Sequence, residues 1–341
     1  MDFLYHYGLF LAQTFTIVLA IVAIFTAIAG TALKLKDSIG EIQLDDISGH
    51  LKEIKEQFEQ QLLDKEQLKE LKKQRKAKLK EEQAAQGKHE AKPNLFVINF
   101  EGSSDAMEVE ALRDEVTAIL TIATEKDQVL VKIDSPGGVV HGYGLAASQL
   151  MRLKQKNIPL VAAVDKVAAS GGYMMACVAD EIIAAPFAIV GSIGVVVQMP
   201  NFNRLLKKHD VDFELYTAGE FKRTVTMFGE NSEKAKQKFN QELEDVHVLF
   251  KDFVTKNRSS LDIEQVATGE HWYGTDALSH GLVDKIQTSD DYQMNLLETH
   301  KVVGVKCTIK KGITEKLGLA LSYAVDNVWS KWMKRSQTPI Q

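Results

Sequence analysis

What the 341-residue chain lacks narrows its chemistry before any motif is read. It has only two cysteines, Cys177 and Cys307, too few and too far apart for a disulfide framework, and they read as ordinary core thiols. No CxxC pair and no His/Cys cluster has metal-ligand spacing, so the sequence implies neither a metal nor an organic cofactor. An excess of positive charge is also missing: the formal net charge is −5. A nucleic-acid partner is thereby excluded, because counterion release from phosphates needs a basic face. No histidine lies between His141 and His209, and neither a GxSxG elbow nor an SxxK pair surrounds Ser170 within that stretch.

One long stretch lacks charge altogether. From Gly8 to Leu33 the chain reads GLFLAQTFTIVLAIVAIFTAIAGTAL. At about 1.5 Å per residue this covers the roughly 30 Å hydrocarbon layer. The basic n-region of a secretory signal is absent, so the run predicts a retained membrane anchor in a 1–33 segment. Lysines follow the run (Lys34, Lys36, Lys52) and none precedes it, which by the positive-inside rule places the bulk of the chain in the cytoplasm. A second charge-free run, Ile182 to Asn203, holds Pro186, Gly191, Gly194 and Pro200. It reads as two buried strands around a turn rather than as another span.

What is present has ordinary globular proportions, 45% hydrophobic and 26% charged, enough for one packed domain with attachments. Residues 34–92 form a charged segment with broken heptads, predicted as a helical stalk or solvated spacer. From Asn94 the texture alternates. NLFVINF, QVLVKID and PLVAAVD read as strands, and Glu108–Ala123, Gly144–Lys156 and Ser232–Asn257 as helices. The fold class is α/β, built of βαβ units on a mainly parallel sheet, with sites expected where strand ends meet helix starts. Domain limits of 93–291 follow. A 292–341 extension carries Ile313, Leu317, Leu321, Val325, Val328 and Trp332 at helical spacing, an amphipathic helix suited to a neighbouring subunit or a membrane surface.

Two strand–helix junctions carry unusual sequence. DSPGG, Asp134–Gly138, follows a strand, and the exposed N–H groups of Gly137 and Gly138 suit an oxyanion hole; a plain tight turn explains the same residues. In VDKVAASGGYMMACVAD, Ser170 stands before a helix start, where either an N-cap or a nucleophile would stand. A nucleophilic serine needs a base within about 2.6–3.2 Å. With no histidine near in sequence, a lysine kept uncharged by burial can take that part. The candidate is Lys222 in YTAGEFKRTV, after the strand-like FELYTAG. His271 and His280 read as structural.

DSPGG, AASGGYM, GSIGV, GEFKR and GLVD, in this order, resemble the membrane-anchored serine peptidases of the signal peptide peptidase A (S49) family, and the anchor followed by a charged segment is similar to its SohB branch. The resemblance implies a ClpP/crotonase-like fold and a Ser–Lys dyad. It places Ser170 as nucleophile, Lys222 as general base, Ser192 as the residue orienting the lysine, and Gly137 and Gly138 at the oxyanion hole. It also implies polypeptide or signal-peptide substrates, a homo-oligomer, and action on the outer side of a bacterial inner membrane, against the positive-inside reading. Two other classes compete: a crotonase-type thioester enzyme, and a catalytically silent membrane scaffold.

Overall fold

A computed structural model describes residues 6–19, 40–85 and 92–308. Residues 6–19 form helix α1, the first part of the expected anchor; its remainder lies outside the described residues, as does the expected helix at 313–332. Among the described residues no helix is long and apolar enough to cross a membrane.

The compact unit that holds the sheet spans Ile42–Cys307, beyond both ends of the expected 93–291 domain. After β1 (Glu41–Asp45), the charged segment folds into α2 (Ile47–Leu62) and α3 (Lys65–Ala85). Asp46 caps α2 by accepting Gly49 N–H, and Arg75 of α3 pairs with Glu56 and Glu59 of α2. The alternating core then runs β2 (Asn94–Glu101), α4 (Val109–Ile122), β3 (Gln128–Asp134), α5 (Val140–Gln155), β4 (Leu160–Val164), β5 (Val167–Ala169) and α6 (Gly171–Ala176). Next come β6 (Glu181–Ala184), β7 (Ile189–Gly191), α7 (Asn203–Lys208) and α8 (Glu233–Asn257). The chain continues through α9 (Ile263–Val266), β8 (His271–Tyr273), α10 (Gly274–Ser279), β9 (Lys285–Ile286), α11 (Ser289–Leu296) and β10 (Lys301–Thr308).

Seven strands form the main sheet in the order β1-β10-β2-β3-β4-β6-β9, and the pairs from β10 to β9 are parallel. The pleat explains why β2 is apolar almost throughout: Phe96, Ile98 and Phe100 enter the larger core, while Leu95 and Val97 enter a second core with Tyr292 and Leu296. A parallel sheet covered on both faces requires both sets. β5, β7 and β8 make a smaller sheet. The Ile182–Asn203 run thus yields two buried strands, β6 and β7, with a turn between them.

Two expectations change. FELYTAG is not a strand: residues 209–232 carry neither helix nor strand, and no strand among the described residues pairs with them. The sequence after Asp291 is not all appendage, since β10 pairs with β2 inside the main sheet.

β10 is fastened by Glu115 of α4, whose Oε1 accepts Cys307 N–H at 2.7 Å. Burial pushes the Glu115 carboxyl up to about 7, partly offset by that hydrogen bond and by Lys306. A raised carboxyl binds its proton more tightly in the folded chain, so stability falls as pH climbs from the ordinary carboxylate range to about 7. Glu115→Gln keeps an acceptor for Cys307 and removes the titration. Its unfolding free energy is expected to exceed the parent's by on the order of 2 kcal/mol at pH 8 and to match it at pH 4. Urea unfolding at the two pH values checks this; a difference independent of pH contradicts it.

Candidate active site

DSPGG, AASGGYM and GSIGV, far apart in sequence, are stitched together by backbone bonds. Ser135 N–H donates to Val167 O (2.8 Å), Ala169 N–H to Ser135 O (3.1 Å) and Ser170 N–H to Gly191 O (2.7 Å). β5 pairs with β7 so that Ala169 faces Gly191. Three short segments therefore fix the backbone around Ser170 from both sides.

That backbone is strained. Ser170 has φ 51° and ψ −116°, a region that costs a non-glycine residue about 1–3 kcal/mol. The strain does not serve a cap: the Ser170 side chain makes no capping hydrogen bond to α6. Half-buried, Ser170 instead lines a cleft of about 1190 Å³ together with Gly137, Gly138, Met174 and Ser192. Val195, Val196 and Val197 and, from α8, Leu249, Phe250 and Phe253 give the cleft apolar walls.

The two glycines of DSPGG play different parts. Gly137 has φ 87°, and a Cβ there would stand 2.6 Å from Gly171 N and 2.8 Å from Ser170 Cβ. Only glycine permits that approach. Its amide is occupied, donating to Ser135 Oγ at 3.1 Å. Gly138 N–H and Gly171 N–H have no hydrogen-bond acceptor among the described residues, and both residues line the cleft.

Ser192 stands in the same wall with φ 53°, held by its N–H to Glu270 O (2.7 Å). Lys222 is not brought there: it is exposed and is not among the residues lining the Ser170 cleft. Its turn is tied to the start of α8, through the Lys234–Glu220 ion pair (2.5 Å) and through Lys234 and Lys238 over the Phe221 ring. From Lys238 to Val246, the first α8 residue in the cleft wall, a helix rises about 12 Å.

Other cleft residues escaped the sequence reading. His141 and His247 both line it, and His247 Nε2 is buried with no hydrogen-bond partner among the described residues. His271 and His280 are not among the lining residues; His280 packs against Trp272 with the two rings tilted. The α8 wall was legible as amphipathic periodicity, but nothing local said which face would meet the serine.

The family model "Peptidase family S49 N-terminal" matches residues 2–150, and "Peptidase family S49" matches residues 152–303. A probable protease SohB from Haemophilus influenzae is 48% identical over 338 residues, covering 96% of this chain and 95% of its own. Another probable protease SohB, from Buchnera aphidicola subsp. Schlechtendalia chinensis, is 46% identical over 303 residues, covering 86% and 99%. Among solved structures, a 1510-N membrane-bound stomatin-specific protease with a substrate peptide matches with a TM-score of 0.40 and 14% identity, covering 70% of this chain and 100% of that one.

Proposed function

The chain belongs to peptidase family S49, and from that premise we propose that it is a membrane-anchored serine endopeptidase that cleaves signal peptides or misfolded polypeptides through an acyl-enzyme. The observation that carries the reading is Ser170 itself: a strained serine that caps no helix, in the wall of an apolar cleft, beside two amides without an acceptor among the described residues.

Ser170 Oγ attacks the scissile carbonyl while Lys222 accepts its proton. The carbonyl oxygen gains negative charge and takes hydrogen bonds from the Gly138 and Gly171 amides, and Gly137 supplies the turn that presents them. The intermediate collapses, the amine leaves with a proton returned by Lys222, and water then hydrolyses the ester. Ser192 orients the lysine amine.

For this sequence of steps Lys222 must reach Ser170, which the single chain does not accomplish. Its segment exposes apolar side chains, with Tyr216 85% exposed, and Val196 at the cleft wall is 78% exposed. A second copy of the chain is the cover we propose, and assembly is what brings base and nucleophile together. The residues from Gly8 to Leu33 anchor the enzyme in the bacterial inner membrane.

The purified full chain in detergent is expected to cleave a quenched peptide with an apolar residue before the scissile bond at least about 10-fold more efficiently than one with a charged residue there. Hydrolysis of an acyl thioester without peptide cleavage would contradict the reading and favour the crotonase-type alternative.

A further inference from the structure

At the cleft wall, which Tyr143 itself lines, lie two buried hydroxyls that the hydrolytic steps do not use, those of Tyr143 and Ser135. Tyr143 OH donates to Ser103 O at 2.8 Å, which commits its single hydrogen. The 2.5 Å contact between Tyr143 OH and Ser135 Oγ is therefore made with the serine's hydrogen. Ser135 Oγ in turn accepts Gly137 N–H at 3.1 Å. The chain has one direction throughout: Gly137 amide, Ser135 hydroxyl, Tyr143 hydroxyl, Ser103 carbonyl.

Ser135 and Tyr143 are both 0% exposed, and burial holds the Tyr143 phenol above its usual pKa, so it stays a donor across the working range. The ring also fills the space behind the nucleophile's successor. A Cβ on Gly171 would collide with Tyr143 Cγ, and one on Gly102 would come within 2.6 Å of Ser135 Oγ. The Tyr143 side chain thus touches both halves of the site, the loop bearing Gly137 through hydrogen bonds and the α6 start through its ring.

We propose that Tyr143 and Ser135 are positioning residues for the hydrolytic step: their hydroxyl chain fixes where the Gly138 and Gly171 amides stand relative to Ser170 Oγ. This inference rests on the reading of Ser170 as nucleophile. A displacement of donors by a fraction of an ångström is felt where charge develops and little where substrate binds. Loss of either hydroxyl therefore lowers kcat and leaves KM in place, whereas a merely structural role would move stability and leave kcat unaltered in the folded fraction.

The test uses the full chain in detergent and the apolar quenched peptide, with Tyr143→Phe, Ser135→Ala, the double variant and Ser170→Ala. Tyr143→Phe and Ser135→Ala are each expected to lose about 10- to 100-fold in kcat with KM within about 2-fold. The double variant should lose no more than the worse single one, because the hydroxyls act as one chain. Values of kcat within 2-fold of the parent in the folded single variants would overturn the proposal, and so would parallel losses in kcat, KM and thermal midpoint. Should Tyr143→Phe fail to fold, Ser135→Ala, which removes one atom, decides by the same criterion. Cleavage by Ser170→Ala would sink the nucleophile reading and this proposal with it; an inactive Ser170→Ala beside a fully active Tyr143→Phe would sink this one alone.

Discussion

Ser170→Ala and Lys222→Ala are each expected to lower peptide hydrolysis by about 10⁴-fold or more, the scale seen when one member of a nucleophile–base unit is removed. Neither should unfold the protein. Ser170 is held by main-chain bonds, its N–H to Gly191 O and its C=O from Met174 N–H, which alanine retains; Lys222 is exposed. Lys222→Arg sharpens the test. Arginine carries a positive charge, stays protonated and cannot accept the serine's proton, so it should be as inactive as alanine. Retained activity in Lys222→Arg would mean that the position supplies charge rather than basicity. Retained activity in Lys222→Ala would transfer the base role to His141 or His247, which already line the cleft. Initial rates on the quenched peptide, with thermal unfolding as the control for folding, separate these cases.

Gly138→Ala should have the largest effect of any single methyl group added near the site. A Cβ there would run into Ser104 O, and it would stand 2.6 Å from the Ser104 carbonyl carbon and 2.7 Å from its Cα. These are main-chain atoms that cannot rotate aside. Either the DSPGG loop or the loop after β2 must move, which breaks the bond from Val139 N–H to Ser104 O (2.9 Å). The expected cost is about 1–3 kcal/mol of stability, with a loss of about 100-fold or more in kcat as the Gly138 amide leaves its place. Gly144→Ala is the matched comparison. Gly144 lies in α5, and among the described residues nothing stands within 4 Å of its added Cβ. That change should stabilise the chain by roughly 0.5–1 kcal/mol, as glycine-to-alanine does inside a helix. Equal destabilisation in the two variants would mean that the close approach at Gly138 is not what holds the loop.

The alternating core was legible because its periodicities are strong. β2, β3 and β4 are runs that only a sheet covered on both faces can bury, and α4 and α8 fall within a residue or two of their expected ends. The motif glycines were legible for a related reason: Gly137 and Gly191 sit at φ 87° and 102°, positions that few other residues accept. What stayed hidden depends on long-range placement. Nothing near FELYTAG reveals that no strand will pair with it, and nothing near Lys222 reveals that its turn will be tied to the start of α8 rather than to the cleft. Whether Ser170 caps α6 could not be told by pattern, because the features that bear on it, a φ of 51° and the lack of a capping hydrogen bond to α6, are set by the fold. Tyr143 looked like one more core aromatic. Its part emerged only when Ser103, Ser135 and Gly137 from three separate segments met its hydroxyl.

The most direct test of Ser170 as nucleophile is covalent labelling. The full chain, assembled in detergent, is treated with a fluorophosphonate, digested and analysed by mass spectrometry. A single adduct on the peptide containing Ser170, abolished in Ser170→Ala and strongly slowed in Lys222→Ala, is the predicted result. An adduct on another residue, or peptide cleavage by a chain whose Ser170 stays unlabelled, would contradict it.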